Sequence, residues 1–196
     1  MLLGVSGGYR AGGILDRALR EVLEASGRPY RLVHLAELDF RPCRGCLDCV
    51  RDNVCSQKDQ LTAVLEELRT AAGLVVAAAP HTGALNGMTK AFLERVYSFK
   101  HRRMLTRRKV GAAVVAGFRD AQAVADYLEH WFRFYRFDFR GAVRLPGSIP
   151  CSYCGYGRAC AYSNLPGMDR AGLTDSAEGC CGYGPELAAL GSSLGS

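Results

Sequence analysis

Short apolar runs alternate along the chain with longer stretches in which apolar residues recur at helical spacing. Leu2–Val5 is the first such run, and the continuous run Leu74–Ala79 suits a central parallel strand that is buried on both faces. Five strands are predicted in all, namely Leu2–Val5, Tyr30–Leu35, Leu74–Ala79, Val110–Ala116 and Phe137–Val143.

Between these runs, apolar residues at i, i+3 and i+4 predict four helices. Their stripes run over Leu15–Leu23, Leu61–Leu68, Met88–Phe99 and Val124–Tyr135. The segment Ser56–Asp59 has the form of a capping box and is expected to start the second helix. Strands alternating with helices predict an α/β fold with an open parallel sheet covered on both faces.

The regular pattern stops after Pro146. We therefore predict one domain over residues 1–146, with an inserted loop at 42–56, and a cysteine-rich tail over 147–196 packed on that domain. The tail is rich in Gly, Ser, Cys and Tyr and is too long for an ordinary loop. Something other than a hydrophobic core is expected to organise it.

Composition narrows the protein class. The 196 residues are 48% hydrophobic and 22% charged, as in an ordinary globular protein. No apolar run is long enough to span a membrane, and the first residues lack a basic leader, so we expect a cytoplasmic protein. The net charge of +6 is too small to indicate nucleic acid as a partner. Nine cysteines without an export signal favour metal binding or redox chemistry over disulfides.

The first four cysteines form one compact motif with the spacing C-x2-C-x2-C-x5-C, consisting of Cys43, Cys46, Cys49 and Cys55. Three thiolates separated by two-residue gaps are typical of cubane iron–sulfur clusters. Zinc sites more often pair two C-x2-C knuckles separated by a dozen or more residues. The motif therefore predicts a 4Fe–4S cluster, with zinc or redox-active thiols as alternatives.

The tail carries a second, looser set of cysteines. Cys151, Cys154 and Cys160 repeat two of the gaps in the first motif, and either Cys180 or Cys181 could supply a fourth thiolate, for which we choose Cys180. A second iron–sulfur cluster or a zinc ion would order a tail that lacks a core. A redox disulfide or free thiols are the alternative.

These features resemble the iron–sulfur flavoprotein family, within the NADPH-dependent FMN reductase superfamily of flavodoxin-like proteins. The resemblance covers about residues 2–118. It rests on the glycine-rich first loop, which is Ser6–Ile14, on the segment Leu38–Cys43, on the cysteine motif and on the segment Lys90–Arg95. It implies a flavodoxin-like three-layer sandwich with a five-stranded parallel sheet. It also implies a homo-oligomer, a dimer or tetramer, that binds FMN beside a 4Fe–4S cluster. Such an oxidoreductase passes electrons between a ferredoxin-like or NAD(P)H donor and a small acceptor.

The flavin is expected at the carboxyl ends of the strands, where the first loop follows the first strand. Glycine N–H groups and a helix N-terminus suit a phosphate, with a hydroxyl from Ser6 and a charge-assisted bond from Arg10. The loops Pro80–Asn86 and Gly117–Ala121 would meet the first loop there. The candidate flavin residues are Ser6, Gly8, Arg10, Gly12, Gly13, Ile14, Pro80, His81, Thr82, Gly83, Asn86 and Gly117.

The chain departs from the family pattern after the third strand. Family members usually carry an aromatic residue two positions after the proline, whereas Pro80 is followed by His81, Thr82 and Gly83 in a loop about one residue shorter. His81 is either a loop residue or a hydrogen-bond donor to the flavin. The basic residues between Lys100 and Lys109 either form a solvated helix end or bind an acidic electron carrier or the 2′-phosphate of NADPH.

Two other functions fit the sequence less well. One is a cluster-free, NADPH-dependent FMN or quinone reductase with zinc in the cysteine loops. The other is a non-enzymatic metal-binding or redox-sensing module on a flavodoxin-like scaffold. No acid–base residue is assigned, because the cofactors would supply the chemistry.

Overall fold

The computed structural model describes residues 1–117, 120–147 and 183–195. Within these ranges the strands are β1 (Leu2–Ser6), β2 (Tyr30–His34), β3 (Gly73–Ala78), β4 (Pro80–His81), β5 (Ala84–Leu85), β6 (Val110–Ala116) and β7 (Asp138–Leu145). The α-helices are α1 (Ile14–Ala25), α2 (Leu61–Thr70), α3 (Gly87–Arg95), α4 (Ala121–Phe134) and α5 (Gly184–Gly195). Short 3-10 turns cover Leu35–Glu37, Asp48–Val50 and Val96–Lys100.

Five strands form one sheet in the order β2-β1-β3-β6-β7, and every neighbouring pair is parallel. The predicted five-stranded α/β fold is thus confirmed. Strand β1 lies between β2 and β3, so the chain changes direction across the sheet at β1. In such sheets the ligand crevice lies beyond the carboxyl ends of the strands at this switch point.

Each face of the sheet is covered by its own helices. Apolar residues of α2, α3 and α4 pack on one face, and those of α1 and α5 pack on the other. Strands β3 and β6 are buried along their whole length, which explains why their sequences lack polar alternation. This packing holds the ends of β1, β3 and β6 at one edge.

The second and third helices differ from the predicted ones at their ends. Helix α2 begins at Leu61, beyond the whole of the predicted capping box Ser56–Asp59, and no side chain caps its N-terminus. The carboxylate of Asp59 instead binds Arg95, which lies 36 residues further along the chain. Helix α3 ends at Arg95, and the last part of the predicted stripe, up to Phe99, lies in the 3-10 turn Val96–Lys100.

The described end of the tail packs on the main domain. Leu187, Leu190 and Leu194 of α5 are buried against α1. At Gly191 an added Cβ would lie 2.4 Å from the carbonyl oxygen of Val22, so only glycine allows this close approach. Across residues 1–117, 120–147 and 183–195, the structure contains no helix with the length and apolar character needed to cross a bilayer.

Candidate functional site

The four cysteines of the first motif surround one small pocket. Cys43, Cys46, Cys49 and Cys55 all line it, together with Ser56 and Arg95. The loop carrying them starts after β2, so it leaves the sheet at the same edge as the first loop. Left-handed backbone conformations at Gly45, Leu47 and Asn53 fold the chain around the pocket.

Hydrogen-bonding groups lie close to two of the thiols at this pocket. The backbone N–H of Gly45 lies 3.4 Å from Cys43 Sγ, and Ser56 Oγ lies 3.5 Å from Cys46 Sγ. Hydrogen bonds from Ser56, from the Asp48 backbone and from Arg44 lower the pKa of the exposed Cys46 thiol. Burial, by contrast, raises the pKa of Cys49.

Asn53 fastens the cysteine loop to the chain that follows α3. Its amide Nδ2 donates to the carbonyl oxygens of Ser98, at 2.9 Å, and Arg103, at 3.1 Å. Its Oδ1 accepts the backbone N–H groups of Arg102 and Arg103 at 3.0 and 3.4 Å. Asn53 is 3% exposed, and its φ of 63° lies in the left-handed region that asparagine tolerates. These four bonds of Asn53 thereby fix the position of the chain between Cys49 and Cys55.

Arg95 closes the base of the same loop. Its guanidinium makes a bidentate pair with Asp59, at 2.6 and 3.1 Å, and Nη1 also donates to the carbonyl oxygen of Arg41 at 2.8 Å. The backbone N–H of Arg41 in turn donates to Asp59 at 3.2 Å. Residues on both sides of the four cysteines are thus held by one buried arginine, whose side chain is 0% exposed.

The electrostatics of this pair follow from its geometry. Burial lowers the pKa of Arg95, but the hydrogen bonds that Arg95 donates to Asp59 and the charges of Cys55 and Asp59 outweigh burial and raise it. Burial likewise opposes ionisation of Asp59, yet the bonds from Arg95 and Arg41 hold the pKa of the carboxyl below its usual value. Both groups are therefore charged at neutral pH.

The first loop folds back onto Asp16 at the start of α1. The Ser6 hydroxyl donates to Asp16 Oδ1, and the N–H of Gly12 donates to Asp16 Oδ2 at 2.7 Å. The N–H of Gly8 points to Ser6 Oγ at 3.3 Å, and that of Gly13 to the Arg10 carbonyl at 3.3 Å. In this structure several donors that the sequence assigns to a phosphate are thus engaged by the protein.

Gly7 brings the first loop against α3. An added Cβ there would lie 1.8 Å from Thr89 Oγ1, which only a glycine avoids. Asn86, fully buried at the N-terminus of α3, donates through Nδ2 to the Gly7 carbonyl at 2.6 Å. Asn86 Oδ1 and Thr89 Oγ1 are buried and, among the described residues, have no hydrogen-bond partner. These groups fit a site that a polar ligand completes.

The segment after β3 is a two-stranded hairpin. Pro80 pairs with Leu85 and His81 with Ala84, across a two-residue turn at Thr82 and Gly83. Both turn residues have positive φ, 49° and 82°, as a tight hairpin of this length requires. The candidate flavin residues Thr82 and Gly83 therefore lie at the tip of a tight turn.

His81 lies at the edge of the first loop. Its ring makes an edge-to-face contact with the exposed Tyr9, with ring centroids 5.8 Å apart. Gly117 follows β6 at the same end of the sheet, and its N–H donates to the Leu145 carbonyl at 3.1 Å. Ile14 is the first residue of α1 and is buried, whereas Arg10 is exposed on the loop. The structure thus brings the flavin candidates to one edge of the sheet.

The second set of cysteines, in the tail, is not described. Cys151, Cys154, Cys160, Cys180 and Cys181 lie outside the described residues. Of the residues that are described, no three or more His, Cys, Asp or Glu side chains are arranged to hold a single metal ion.

Four residues that shape the first loop and the cysteine loop were not predicted from the sequence, namely Asp16, Asn53, Thr89 and Arg95. A signal existed for Arg95, a cation flanked by apolar residues at helical spacing in Phe92, Leu93 and Val96. Such a position points inward, so its charge needs a buried partner.

A larger cavity of about 610 Å³ adjoins the cysteine pocket. Cys43, Gly45 and Leu47 form one wall, and aromatic residues of α4 such as Trp131 form another. Leu47 and Phe134 at this cavity are exposed apolar side chains. The cysteine pocket therefore has an apolar surface at its side.

Comparison with known proteins identifies the family of this chain. The family model described as NADPH-dependent FMN reductase matches residues 1–147. An iron-sulfur flavoprotein of Archaeoglobus fulgidus is 28% identical over 110 residues, covering 56% of this chain and 54% of the relative. An iron-sulfur flavoprotein of Methanosarcina thermophila is 27% identical over 119 residues, covering 59% and 62%. The chain thus matches little more than half the length of these relatives.

Solved structures show the same fold. The structure of RosB with a bound 8-demethyl-8-formylriboflavin-5'-phosphate intermediate aligns with a TM-score of 0.69 at 16% identity, over 99% of this chain and 78% of RosB. An FMN-dependent NADH-azoreductase from Bacillus anthracis in complex with FMN aligns with a TM-score of 0.62 at 11% identity, over 100% and 99% of the two chains. Fold and family model agree, and the chain belongs to the NADPH-dependent FMN reductase family.

Proposed function

We propose that this protein is an iron–sulfur flavoprotein, an FMN-dependent oxidoreductase that also carries a 4Fe–4S cluster on Cys43, Cys46, Cys49 and Cys55. The observation that carries the proposal is the meeting of these four thiols at one pocket, on a loop leaving the flavin edge of the sheet. Family membership supports the flavin, and relatives named iron-sulfur flavoprotein support the cluster.

The flavin would be held by the first loop, the β4–β5 hairpin and Gly117. Bound FMN would supply conversion between two-electron and one-electron transfer. The chain's own residues shape that edge, because Asn86 ties Gly7 to α3 and Asp16 orders the Ser6 and Gly12 end of the loop. The buried acceptor Asn86 Oδ1 and hydroxyl of Thr89, unpartnered within the described ranges, support a polar ligand at this edge.

The electron donor and acceptor are part of the same proposal. A ferredoxin-like protein or NAD(P)H would be the donor and a small molecule the acceptor. The exposed apolar residues Leu47, Val50 and Phe134 near the cysteine pocket support assembly into a dimer or tetramer. The four free cysteines of the first motif favour a reducing compartment such as the cytoplasm, because an oxidising one promotes disulfides.

The test is a spectrum and a cofactor analysis of anaerobically purified protein. We expect flavin bands with a broad iron–sulfur shoulder that bleaches on reduction, about four iron atoms and sulfides for the first motif, and FMN released on denaturation. A colourless protein containing zinc would refute the proposal. A yellow protein without iron would instead identify the cluster-free reductase.

Paired variants separate the two cysteine groups. Replacing Cys49 by serine should remove the iron of the first motif, while replacing Cys154 by serine tests whether the tail holds iron or zinc of its own. Ser192→Ala on the exposed face of α5 serves as the control, and it should leave the iron and zinc contents unchanged. If Cys49→Ser keeps full iron content, the first motif does not ligate the cluster.

The exposed Cys46, with its lowered pKa, supports a second candidate function, a redox-sensing thiol. In that case iron-free protein would react with a thiol-specific alkylating reagent fastest at Cys46. Cluster-loaded protein would be protected at Cys46, so the same reagent distinguishes the two functions.

A further inference from the structure

Arg95 is the fully buried residue of largest volume in the described chain, and it lines the pocket that the four cysteines surround. Two of its three guanidinium nitrogens are engaged, Nη1 with Asp59 and Arg41 and Nη2 with Asp59. The third nitrogen, Nε, is buried and has no hydrogen-bond partner among the described residues. A buried donor without an acceptor costs free energy, so a ligand in the pocket is the natural acceptor.

The other arginines near the motif do not share this position. Arg41, Arg44 and Arg51 are exposed, and the Arg44 side chain is 61% accessible to solvent. Water screens such exposed charges from the pocket. Arg95 is 0% exposed and therefore acts at low dielectric, where a charge has its largest effect.

We propose that Arg95 is a positioning residue for the iron–sulfur cluster, whose Nε–H donates to a cluster sulfur, with Cys55 Sγ in the same pocket as a candidate acceptor. Hydrogen bonds to cluster sulfurs and nearby positive charge stabilise the reduced, more negative state. Arg95 thus raises the reduction potential of the cluster, in addition to clamping Arg41 and Asp59. This inference rests on the proposed function, because it requires the cluster.

The clamp and the tuning are separable because they use different nitrogens. Asp59→Asn weakens the clamp but leaves the guanidinium charge and Nε–H in place. Arg95→Met removes both functions at similar length, and Arg95→Lys keeps the charge without the planar fork. A purely structural role predicts that Arg95→Met and Asp59→Asn behave alike.

The experiment is a redox titration of the cluster in each cofactor-loaded variant, followed by absorbance and electron paramagnetic resonance. We expect Arg95→Met to reduce the equilibrium constant for cluster reduction about tenfold, which is about 59 mV for a one-electron couple. Arg95→Lys should recover most of this loss, and Asp59→Asn should show none of it. A wild-type potential in Arg95→Met would overturn the inference, as would equal shifts in Arg95→Met and Asp59→Asn.

A measurement on the unmodified sequence covers the case in which Arg95→Met fails to fold. Protein with ¹⁵N-labelled arginine should show a hyperfine coupling between the reduced cluster and a guanidinium nitrogen. The coupling should vanish in Arg95→Lys but persist in Arg44→Lys, the matched exposed control. No coupling in cluster-loaded protein contradicts the inference, whereas the absence of any iron–sulfur spectrum contradicts the proposed function instead.

Discussion

Replacing Asn53 by alanine should destabilise the protein more than any other single change between Cys49 and Cys55. The substitution deletes four side-chain hydrogen bonds that join the cysteine loop to residues 98–103. It also places an alanine at a φ of 63°, which asparagine and glycine adopt more readily.

The magnitude follows from these contacts. A neutral hydrogen bond contributes about 1 kcal/mol net, and the left-handed conformation costs alanine about 1 kcal/mol more. Three of the four bonds are only partly buried, so water recovers some of the loss. We therefore expect Asn53→Ala to lower the free energy of unfolding by about 3 kcal/mol, or the melting temperature by about 6–12 °C for a chain of this size.

Trp131 reports the transition directly. It is the single tryptophan of the chain and is 7% exposed in the core. Urea unfolding is followed by the fluorescence of Trp131, with circular dichroism as a second probe. It gives the free energy of unfolding of each variant, provided that the variants are compared at equal iron content. Coincident transitions by the two probes justify a two-state treatment.

Two controls isolate the causes. Asn53→Gly loses the same hydrogen bonds but accepts the positive φ, so it should be less damaging than Asn53→Ala, against the usual order for these residues. Asp52→Ala removes a single exposed bond to the Val54 N–H and should cost under about 0.5 kcal/mol. A loss below about 1 kcal/mol for Asn53→Ala, or a larger loss for Asn53→Gly, would refute the reasoning.

Two further outcomes follow from the geometry. Gly7→Ala drives a methyl group into Thr89, so it should lower the free energy of unfolding by about 1–3 kcal/mol and release FMN on gel filtration. In the control Gly87→Ala the added Cβ meets nothing within 4 Å, so stability and flavin content should not change. Equal flavin retention in both variants would contradict this prediction. The hydrogen bonds from Arg95 lower the pKa of Asp59 in the folded protein. The stabilisation that ionised Asp59 provides is therefore complete above the ordinary carboxyl pKa of about 4, and it is lost as pH falls through the lower folded-state pKa. The difference in unfolding free energy between wild type and Asp59→Asn should therefore stay constant from pH 7 to about 4 and shrink below that, and a gap that grows on acidification would show the opposite sign.

The sheet was predictable because its signal is local. Runs such as Val110–Ala116 are apolar at every position, and only a strand covered on both faces buries such a run in so few residues. The cysteine motif was equally visible, since its ligands lie within thirteen residues of one another. Both features can be recognised without knowledge of the rest of the fold.

The groups that hold the site were not predictable in the same way. Asn53 binds main-chain atoms 45 to 50 residues away, and any sequence offers those atoms. The predicted capping box failed for a related reason, because Asp59 gains more from a buried arginine 36 residues distant than from the helix it precedes. Tertiary partners override the local pattern at both positions.

One short helix connects the two parts of the site. At the N-terminus of α3, Asn86 binds the Gly7 carbonyl of the first loop, and at its C-terminus Arg95 binds Asp59 and Arg41 of the cysteine loop. The helix has nine residues, a length of about 13 Å at 1.5 Å per residue. Because its inward face is packed in the core through Phe92, the two loops cannot shift relative to each other without breaking a buried contact. Helix α3 therefore sets the separation between the proposed flavin and the proposed cluster, the distance on which the rate of electron transfer between them would depend.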